Sequence, residues 1–153
     1  MKFIKNIIKM TKLIFLDIDG VLNSERFYQV TPFYTWDLFD PKSVELLNEL
    51  IINNKALLII ISNWRNTYGE KVIKKVFKKN DVLTKRIKFI SEVDKEKGVI
   101  EFIKSMNENL KKIRYVILDD ELPDSLSNLI KVNPENGFTY TDYKRANAIL
   151  NKK

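Results

Sequence analysis

Four carboxylates stand directly after two apolar segments of this sequence. Asp17 and Asp19 end the segment KLIFLDID, and the adjacent pair Asp119 and Asp120 ends the segment RYVILDD. The spacing of Asp17 and Asp19 sends both side chains to one side of an extended backbone. Partly buried carboxylates in one cluster repel each other, and a divalent cation with oxygen ligands, above all Mg²⁺, relieves that repulsion. We therefore predict that these four residues form a Mg²⁺ site.

A hydroxyl and a guanidinium follow a third apolar segment. The run ALLIII leads into ISNWR, which supplies Ser62 and Arg65. A metal and nearby cations neutralise the non-bridging oxygens of a phosphate, so that a carboxylate can attack phosphorus in line. The combination predicts phosphoryl transfer. Arg65 suits a clamp on a substrate phosphate and a structural salt bridge equally well, and Trp64 is more typical of packing than of base stacking.

The composition restricts the chemistry further. The 153 residues include no His and no Cys, which excludes a Cys or Ser–His nucleophile, a zinc site built from thiolate or imidazole, and a disulfide. The first residues, with Lys2, Lys5 and Lys9 between short apolar pairs, lack the uninterrupted apolar stretch of a secretion signal. No segment reaches the roughly 20 apolar residues of a membrane span. We expect a cytoplasmic protein without membrane contact.

Apolar runs alternate with helical patterns along the chain. Strands are expected at 12–18, 56–61, 87–90 and 114–118, and an extended segment at 131–133. Helices are expected at 67–79, 98–110 and 126–130, from Pro41 onward with Asp40 as N-cap, and from Thr139 as N-cap to Leu150. The alternation predicts a doubly wound α/β fold, a parallel sheet with helices on both faces and functional groups beyond the carboxyl ends of the strands. We expect one domain over residues 12–153 after a basic extension over residues 1–11.

The order of these motifs resembles that of the haloacid-dehalogenase-like (HAD) phosphohydrolases. The motifs are FLDIDGVLN, then ISN, then a Lys near the start of a helix, then ILDDE. The segments FDPKSVELLNELI, ISNWR and NPENGFT further resemble the HAD domain of bacterial Swiss army knife RNA-repair proteins, over about residues 12–150. The resemblance implies a Rossmann-like HAD fold and a phosphatase.

The resemblance also implies roles for the first two acids. Asp17 would be the nucleophile and would form an aspartyl-phosphate. Asp19 would protonate the leaving oxygen as general acid and then activate water as general base. An acid at this second position is typical of the phosphatases of the family, whereas its ion-pumping ATPases carry Thr there. The resemblance therefore favours hydrolysis.

The remaining roles are implied in the same way. Ser62 would hold a phosphate oxygen, with Asn63 and Arg65 binding substrate beside it. Lys97, followed by Gly98 and a helix, would be the cation of the site, and Lys95 is the alternative. Either Asp119 or Asp120 would complete the Mg²⁺ shell together with the Asp17 carboxylate and the Asp19 backbone carbonyl. Asp120 is preferred, since the second of two adjacent acids is often the ligand in the family.

The lengths of the connecting segments bear on the substrate. HAD enzymes for small metabolites often carry a cap domain that closes over the site. Only about 17 residues separate Asn23 from Pro41, and residues 66–97 are filled by one helix and one strand, so no cap is expected. An open site favours a phosphate at the end of something large. Aromatic residues within 24–36 beside the site suit stacking on a base or capping of the core equally well.

The charge adds support for a nucleic-acid partner. The net charge is +7, and a lysine stripe is expected on the helix at Lys71, Lys74, Lys75, Lys78 and Lys79, although lysine-rich solvent faces are common. The leading hypothesis is a Mg²⁺-dependent phosphomonoesterase acting on phosphorylated RNA or DNA ends in repair. The alternatives are a phosphatase of free nucleotides or other small phosphoesters, and a non-enzymatic phospho-acceptor or nucleic-acid-binding module.

Overall fold

The computed structural model describes residues 10–109 and 112–152. Most of the basic extension expected at residues 1–11 lies outside these ranges. The strands are β1 (Thr11–Leu16), β2 (Leu57–Ile60), β3 (Ile87–Phe89), β4 (Ile113–Asp119) and β5 (Leu129–Lys131). The helices are α1 (Glu25–Val30), α2 (Pro41–Asn54), α3 (Trp64–Thr67), α4 (Glu70–Lys79), α5 (Lys95–Glu108) and α6 (Tyr140–Leu150). Within the described ranges, no helix combines the length and the apolarity needed to cross a bilayer.

The five strands form one parallel sheet in the order β3-β2-β1-β4-β5. The chain moves outward from β1 through β2 to β3 and then returns to the other side of β1 to form β4 and β5. Such a reversal leaves a crevice beyond the carboxyl ends of the two strands that flank it, here β1 and β4. The predicted doubly wound α/β fold is confirmed.

Helices cover both faces of the sheet. On one face, Ile14 and Leu16 of β1 belong to a core that includes Leu47 of α2, Phe77 of α4 and Ala146 of α6. On the other face, Leu13 and Phe15 belong to a second core that includes Val99 of α5. Both faces of the second half of β1 are buried, so residues 13–16 are all apolar, and Asp17 is the first polar residue after them.

Two helices begin where their capping residues predict. The Asp40 side chain accepts a hydrogen bond from the backbone N–H of Lys42, and Pro41 occupies the first turn of α2. Thr139 and Asp142 form a capping box at the start of α6, each side chain accepting from the backbone N–H of the other. Both helices pack against the same face of the sheet and against each other.

Three elements differ from the prediction. The helix expected at 67–79 begins later, at Glu70, because Gly69 at φ 83° separates it from the short helix α3, which was not predicted. The helix expected at 98–110 begins earlier, at Lys95, since the Asp94 side chain caps it by accepting from the Lys97 N–H. The segment 126–130 is not helical. Leu129–Lys131 forms β5 there and buries Ile130 beside Leu118.

The carboxyl edge of the sheet remains uncovered. Between Asn23 and Pro41 the chain forms only the six-residue helix α1 and a loop, and between α3 and α5 it forms only α4, β3 and the loops that join them. In the described ranges there is therefore no cap domain, as expected from the segment lengths.

Candidate active site

Asp17 lies at the centre of the carboxyl edge, directly after β1. Its backbone N–H donates to the Leu118 carbonyl at 2.9 Å, which continues the β1–β4 ladder and fixes the residue at the crevice. Its side chain is turned inward, with Oδ1 accepting from the Ile18 N–H at 2.8 Å. The residue is only 4% exposed. A carboxylate so placed is largely stripped of water.

The two acids after β4 differ in what they contact. Asp119 is fully buried, and its Oδ1 accepts from the backbone N–H groups of Glu121 and Leu122 at 2.7 and 2.9 Å. Asp120 is half-buried, and one of its carboxylate oxygens lies within 4.8 Å of an oxygen of Asp17. Asp119 therefore shapes the loop after β4, whereas Asp120 turns its carboxyl group toward Asp17.

One carboxylate oxygen from each of Asp17, Asp119 and Asp120 lies within 4.8 Å of the other two. This arrangement brings together three of the four acids predicted to hold a metal. The Asp19 carboxylate is not part of the cluster, because its oxygens are bonded to Trp64 and Asn23 instead, so the expectation that all four carboxylates converge was wrong for Asp19. A contribution of the Asp19 backbone carbonyl stays a prediction. The cluster offers only carboxylate oxygens, the donor type that Mg²⁺ prefers.

The cation at this site is Lys95. Its Nζ lies 2.9 Å from Asp119 Oδ2, 3.4 Å from Asp17 Oδ2 and 3.7 Å from Glu121 Oε2.

The side chain of Lys97 is 60% exposed, and its Nζ lies 3.9 Å from the Glu92 carboxylate. The choice of Lys97 for the cationic position is thus not supported by the geometry. Because Asp94 starts α5 three residues earlier than predicted, Lys95 occupies its first position and reaches the sheet edge.

The electrostatic balance of the cluster favours binding of a cation. Burial, and then repulsion by Asp119, raises the pKa of Asp17 to about 8, although Lys95 opposes the shift. Burial also raises the pKa of Asp120. For Lys95, the attraction of Asp17 and Asp119 outweighs the effect of burial and raises the pKa. One lysine does not compensate three clustered carboxylates, so the residues fit a hard divalent cation.

Ser62 and Asn63 follow β2, the strand next to β1. Ser62 is 1% exposed, and its Oγ accepts from the Trp64 N–H at 3.2 Å. The backbone N–H of Ile61 donates to the Leu16 carbonyl, which brings the end of β2 alongside the end of β1. Asn63 is exposed at the start of α3. Ser62 thus lies at the same sheet edge as Asp17, with Asn63 at its rim.

The Arg65 guanidinium donates hydrogen bonds to backbone carbonyl groups. Its Nε donates to the Ser62 carbonyl at 2.9 Å, and its Nη1 donates to the Ile90 and Glu92 carbonyls at 2.8 and 2.7 Å. Burial lowers the pKa of Arg65, and the attraction of Asp17 opposes this effect only in part. The guanidinium therefore ties the loop after β2 to the loop after β3. These contacts favour the structural interpretation of Arg65 over the phosphate clamp.

Asp19 is exposed, but both of its carboxylate oxygens are hydrogen-bonded. Trp64 Nε1 donates to Oδ2 at 3.0 Å, and Asn23 Nδ2 donates to Oδ1 at 2.9 Å. The sequence offers no signal for the first bond, because it joins residues 45 positions apart. Asn23 lies within the motif FLDIDGVLN, but its contact with Asp19 does not follow from the motif alone.

Gly20 is required for the approach of the two acidic loops. Its φ of 80° lies in the left-handed region, and a Cβ at this position would overlap Asp120 Oδ2. Any larger residue would force the Asp120 carboxylate to move. The glycine that follows the first acidic pair in the sequence is thus part of the geometry of the carboxylate cluster.

The aromatic residues near Asp19 divide between core and surface. Trp64 and Phe39 are buried, while Trp36 and Tyr68 are exposed and stack on each other with centroids 4.6 Å apart and planes at 17°. Trp36 also lies 5.6 Å from the Trp64 ring. Phe33 is 97% exposed and has a positive φ of 57°. We call Trp36 and Tyr68 the aromatic platform, since together they present exposed ring surface next to the Asp19 side of the site.

Comparison with known families agrees with this arrangement. The family model described as the HAD domain in Swiss Army Knife RNA repair proteins matches residues 13–143. The chain belongs to this family. The match begins in β1 and ends in α6, so it includes every residue of the carboxylate cluster and Lys95. Searches of curated proteins and of solved structures gave no match. The resemblance to a HAD domain of RNA-repair proteins is confirmed.

Proposed function

We propose that this HAD domain is a Mg²⁺-dependent phosphomonoesterase that removes a terminal phosphate from nucleic-acid ends. The observation that carries the proposal is that the buried carboxylate of Asp17 lies 3.4 Å from Lys95 Nζ and within 4.8 Å of an Asp120 carboxylate oxygen. A nucleophile that attacks phosphorus must be fixed in direction and must face positive charge that receives the phosphate oxygens.

The first half of the reaction uses Asp17 and Asp19. A carboxylate oxygen of Asp17 forms a bond to phosphorus, and the bond from phosphorus to the ester oxygen breaks. Asp19 gives its proton to the departing oxygen, which leaves as a hydroxyl group. Ser62 and Lys95 hold the non-bridging oxygens. Asp17, Asp120 and the Asp19 backbone carbonyl would hold Mg²⁺, which would add positive charge beside those oxygens when bound.

The second half regenerates the nucleophile. Asp19, now ionised, takes a proton from a water molecule, and the water oxygen bonds to phosphorus. The bond between phosphorus and Asp17 breaks, inorganic phosphate leaves, and Asp19 is protonated again for the next cycle. No His or Cys is needed at any step, in accord with the composition.

The surroundings of the site support a polymeric substrate. The described chain has no cap to enclose a small molecule, and the aromatic platform presents exposed rings for stacking with a terminal base. All five lysines of the stripe on α4 are exposed, although Lys79 is paired with Asp37 at 2.6 Å. The net charge of +7 favours a polyanion.

The test is phosphate release from 3′- and 5′-phosphorylated oligonucleotides and from nucleoside monophosphates, with Mg²⁺ or with EDTA. We expect turnover only with Mg²⁺, and none for Asp17→Asn. The two candidate lysines give a matched pair of variants. Lys95→Ala should lose most activity and Lys97→Ala should retain it. Loss in Lys97→Ala with retention in Lys95→Ala would contradict the assignment of the cation.

Salt dependence distinguishes a polymer from a small phosphoester. If the lysine stripe binds a strand, turnover of an oligonucleotide should fall steeply with added salt, because each neutralised phosphate releases counterions. Hydrolysis of p-nitrophenyl phosphate should change little. Parallel salt curves, or a preference for free nucleotides at low salt, would instead assign the activity to small phosphoesters.

A further inference from the structure

Trp64 contacts the proposed proton donor directly. Its Nε1 donates to Asp19 Oδ2 at 3.0 Å. An indole N–H can only donate, so the polarity of this bond is fixed. Trp64 is 7% exposed, and its ring packs against Trp36, Phe39 and Tyr68 at centroid distances of 5.6, 5.9 and 5.2 Å. The donor therefore has a fixed place relative to the sheet edge.

The other oxygen of Asp19 is held from the opposite side. Asn23 Nδ2 donates to Asp19 Oδ1 at 2.9 Å, and Asn23 Oδ1 accepts from the Gly20 N–H at 3.0 Å. Because a backbone N–H can bond only to the carbonyl end of the amide, Asn23 must present its NH₂ group to Asp19. The two donors come from different elements, α3 and the loop after β1, so the carboxyl group cannot rotate without losing both bonds.

An exposed aspartate needs such restraint to act as a proton donor. Without partners, its side chain would sample several rotamers, and a displacement of about 1 Å can cost about a hundredfold in rate. Each carboxyl oxygen carries two lone pairs. Each oxygen can therefore accept one N–H with one lone pair and still carry or receive a proton on the other. The clamp thus orients Asp19 without blocking proton transfer.

We propose that Trp64 is a positioning residue that holds the Asp19 carboxyl group in line with the leaving oxygen of the substrate. The inference rests on the proposed function, in which Asp19 protonates that oxygen. Trp64 does not touch the phosphate in this proposal. Its contribution passes through Asp19 and matters only where the leaving group needs a proton.

This requirement gives a sharp test with Trp64→Phe, which keeps an aromatic ring and removes the N–H. The substrates are p-nitrophenyl phosphate and benzyl phosphate, which have one ring each but differ in leaving group. Nitrophenolate is stable enough to leave without being protonated, whereas the benzyl alkoxide must receive a proton as it leaves. The ratio kcat/KM reports only the steps up to departure of the leaving group. The later use of Asp19 as a base therefore does not affect this ratio. We expect kcat/KM to fall about tenfold or more for benzyl phosphate and less than about threefold for p-nitrophenyl phosphate.

A packing control and an internal ratio separate positioning from folding. Phe39→Leu removes a ring that packs against Trp64 and leaves the N–H in place, so it should affect both substrates equally. The quotient of the two kcat/KM values does not depend on the folded fraction, which keeps the test valid if Trp64→Phe is less stable. An equal loss on both substrates, or no loss, would overturn the proposal. If the wild type with Mg²⁺ released phosphate neither from these two substrates nor from a phosphorylated oligonucleotide, the proposed function itself would fail.

Discussion

Replacing Asp17 by Asn should remove activity and at the same time stabilise the metal-free protein. Asp17 is 4% exposed and lies beside the buried Asp119, and together burial and repulsion raise its pKa to about 8. Asn has nearly the same shape and carries no charge. Its carbonyl oxygen can still accept from the Ile18 N–H, which now donates to Asp17 at 2.8 Å. The substitution therefore removes the unfavourable charge and keeps the local hydrogen bond.

The size of the effect follows from the pKa values. The pKa of Asp17 is about 8 in the folded protein, against 3.8 for an ordinary aspartate. Between these values the folded protein retains a proton that the unfolded chain has released, so stability falls as pH rises from about 4 to about 8. At about 1.4 kcal/mol per pH unit, the loss is about 4 kcal/mol at pH 7 and under about 2 kcal/mol at pH 5. The Asp17→Asn variant would escape this loss.

The assay is urea unfolding of both proteins in EDTA at pH 5 and pH 7. We expect the variant to be more stable by up to about 4 kcal/mol at pH 7, with a smaller gain at pH 5. Added Mg²⁺ should narrow the difference, because a ligand that binds the folded wild type stabilises it. Asp124→Asn is the control, since that side chain is 81% exposed, and its effect should stay within about 0.5 kcal/mol. A variant that is less stable at pH 7, or an equal gain at both pH values, would refute the reasoning.

Three further substitutions test the surroundings of Asp17. Gly20→Ala should displace Asp120 and weaken Mg²⁺ binding, so that activity requires a higher Mg²⁺ concentration. An unchanged affinity for Mg²⁺ would contradict the role of the glycine. Arg65→Lys should lower the free energy of unfolding by about 1–3 kcal/mol, because backbone carbonyls lose donors, and a thermal melt unchanged from wild type would count against it. Trp36→Ala should raise KM about tenfold for an oligonucleotide with an intact terminal base and leave an abasic end unaffected, whereas equal effects on both ends would argue against stacking.

The acidic cluster was predictable because it depends on local patterns. An apolar run followed by an acid marks the end of a buried strand, and parallel strands that pair bring their carboxyl ends together. Asp17 and Asp120 are far apart in sequence, yet one oxygen of each lies within 4.8 Å of the other. The fold and this part of the site thus follow from residues whose positions are fixed by the sheet.

The cation was harder to predict because it depends on the first residue of a helix. Successive residues of a helix are about 100° apart around its axis, so Lys95 and Lys97 point in nearly opposite directions. The choice between them rests on Asp94, whose side chain caps the helix three residues before the predicted start. Boundary shifts of this size are common in helix prediction. Here the shift decides which of the two lysines has its ammonium group at the site and which has it at the surface.

The contacts of Trp64 and Arg65 were beyond prediction for a different reason. Trp64 reaches Asp19 across 45 positions, and Arg65 reaches Ile90 across 25. Neither contact lies on a paired strand or repeats with a helical period, so no sequence pattern registers it. Both side chains start from the short helix α3, which was not predicted, since the helix expected in this region started only at Thr67.

Burial of Asp17 has two opposite effects, and the site depends on their balance. Removing water from a carboxylate makes its oxygen a better nucleophile, but it also makes the charged form costly. Lys95 offsets only part of this cost, because its single charge is shared with Asp119 at 2.9 Å. The side chain proposed to perform the chemistry is therefore one that destabilises the metal-free fold at neutral pH. A neutral residue at position 17 would give a more stable protein with no nucleophile, which is why stability and reactivity should separate cleanly in the Asp17→Asn variant.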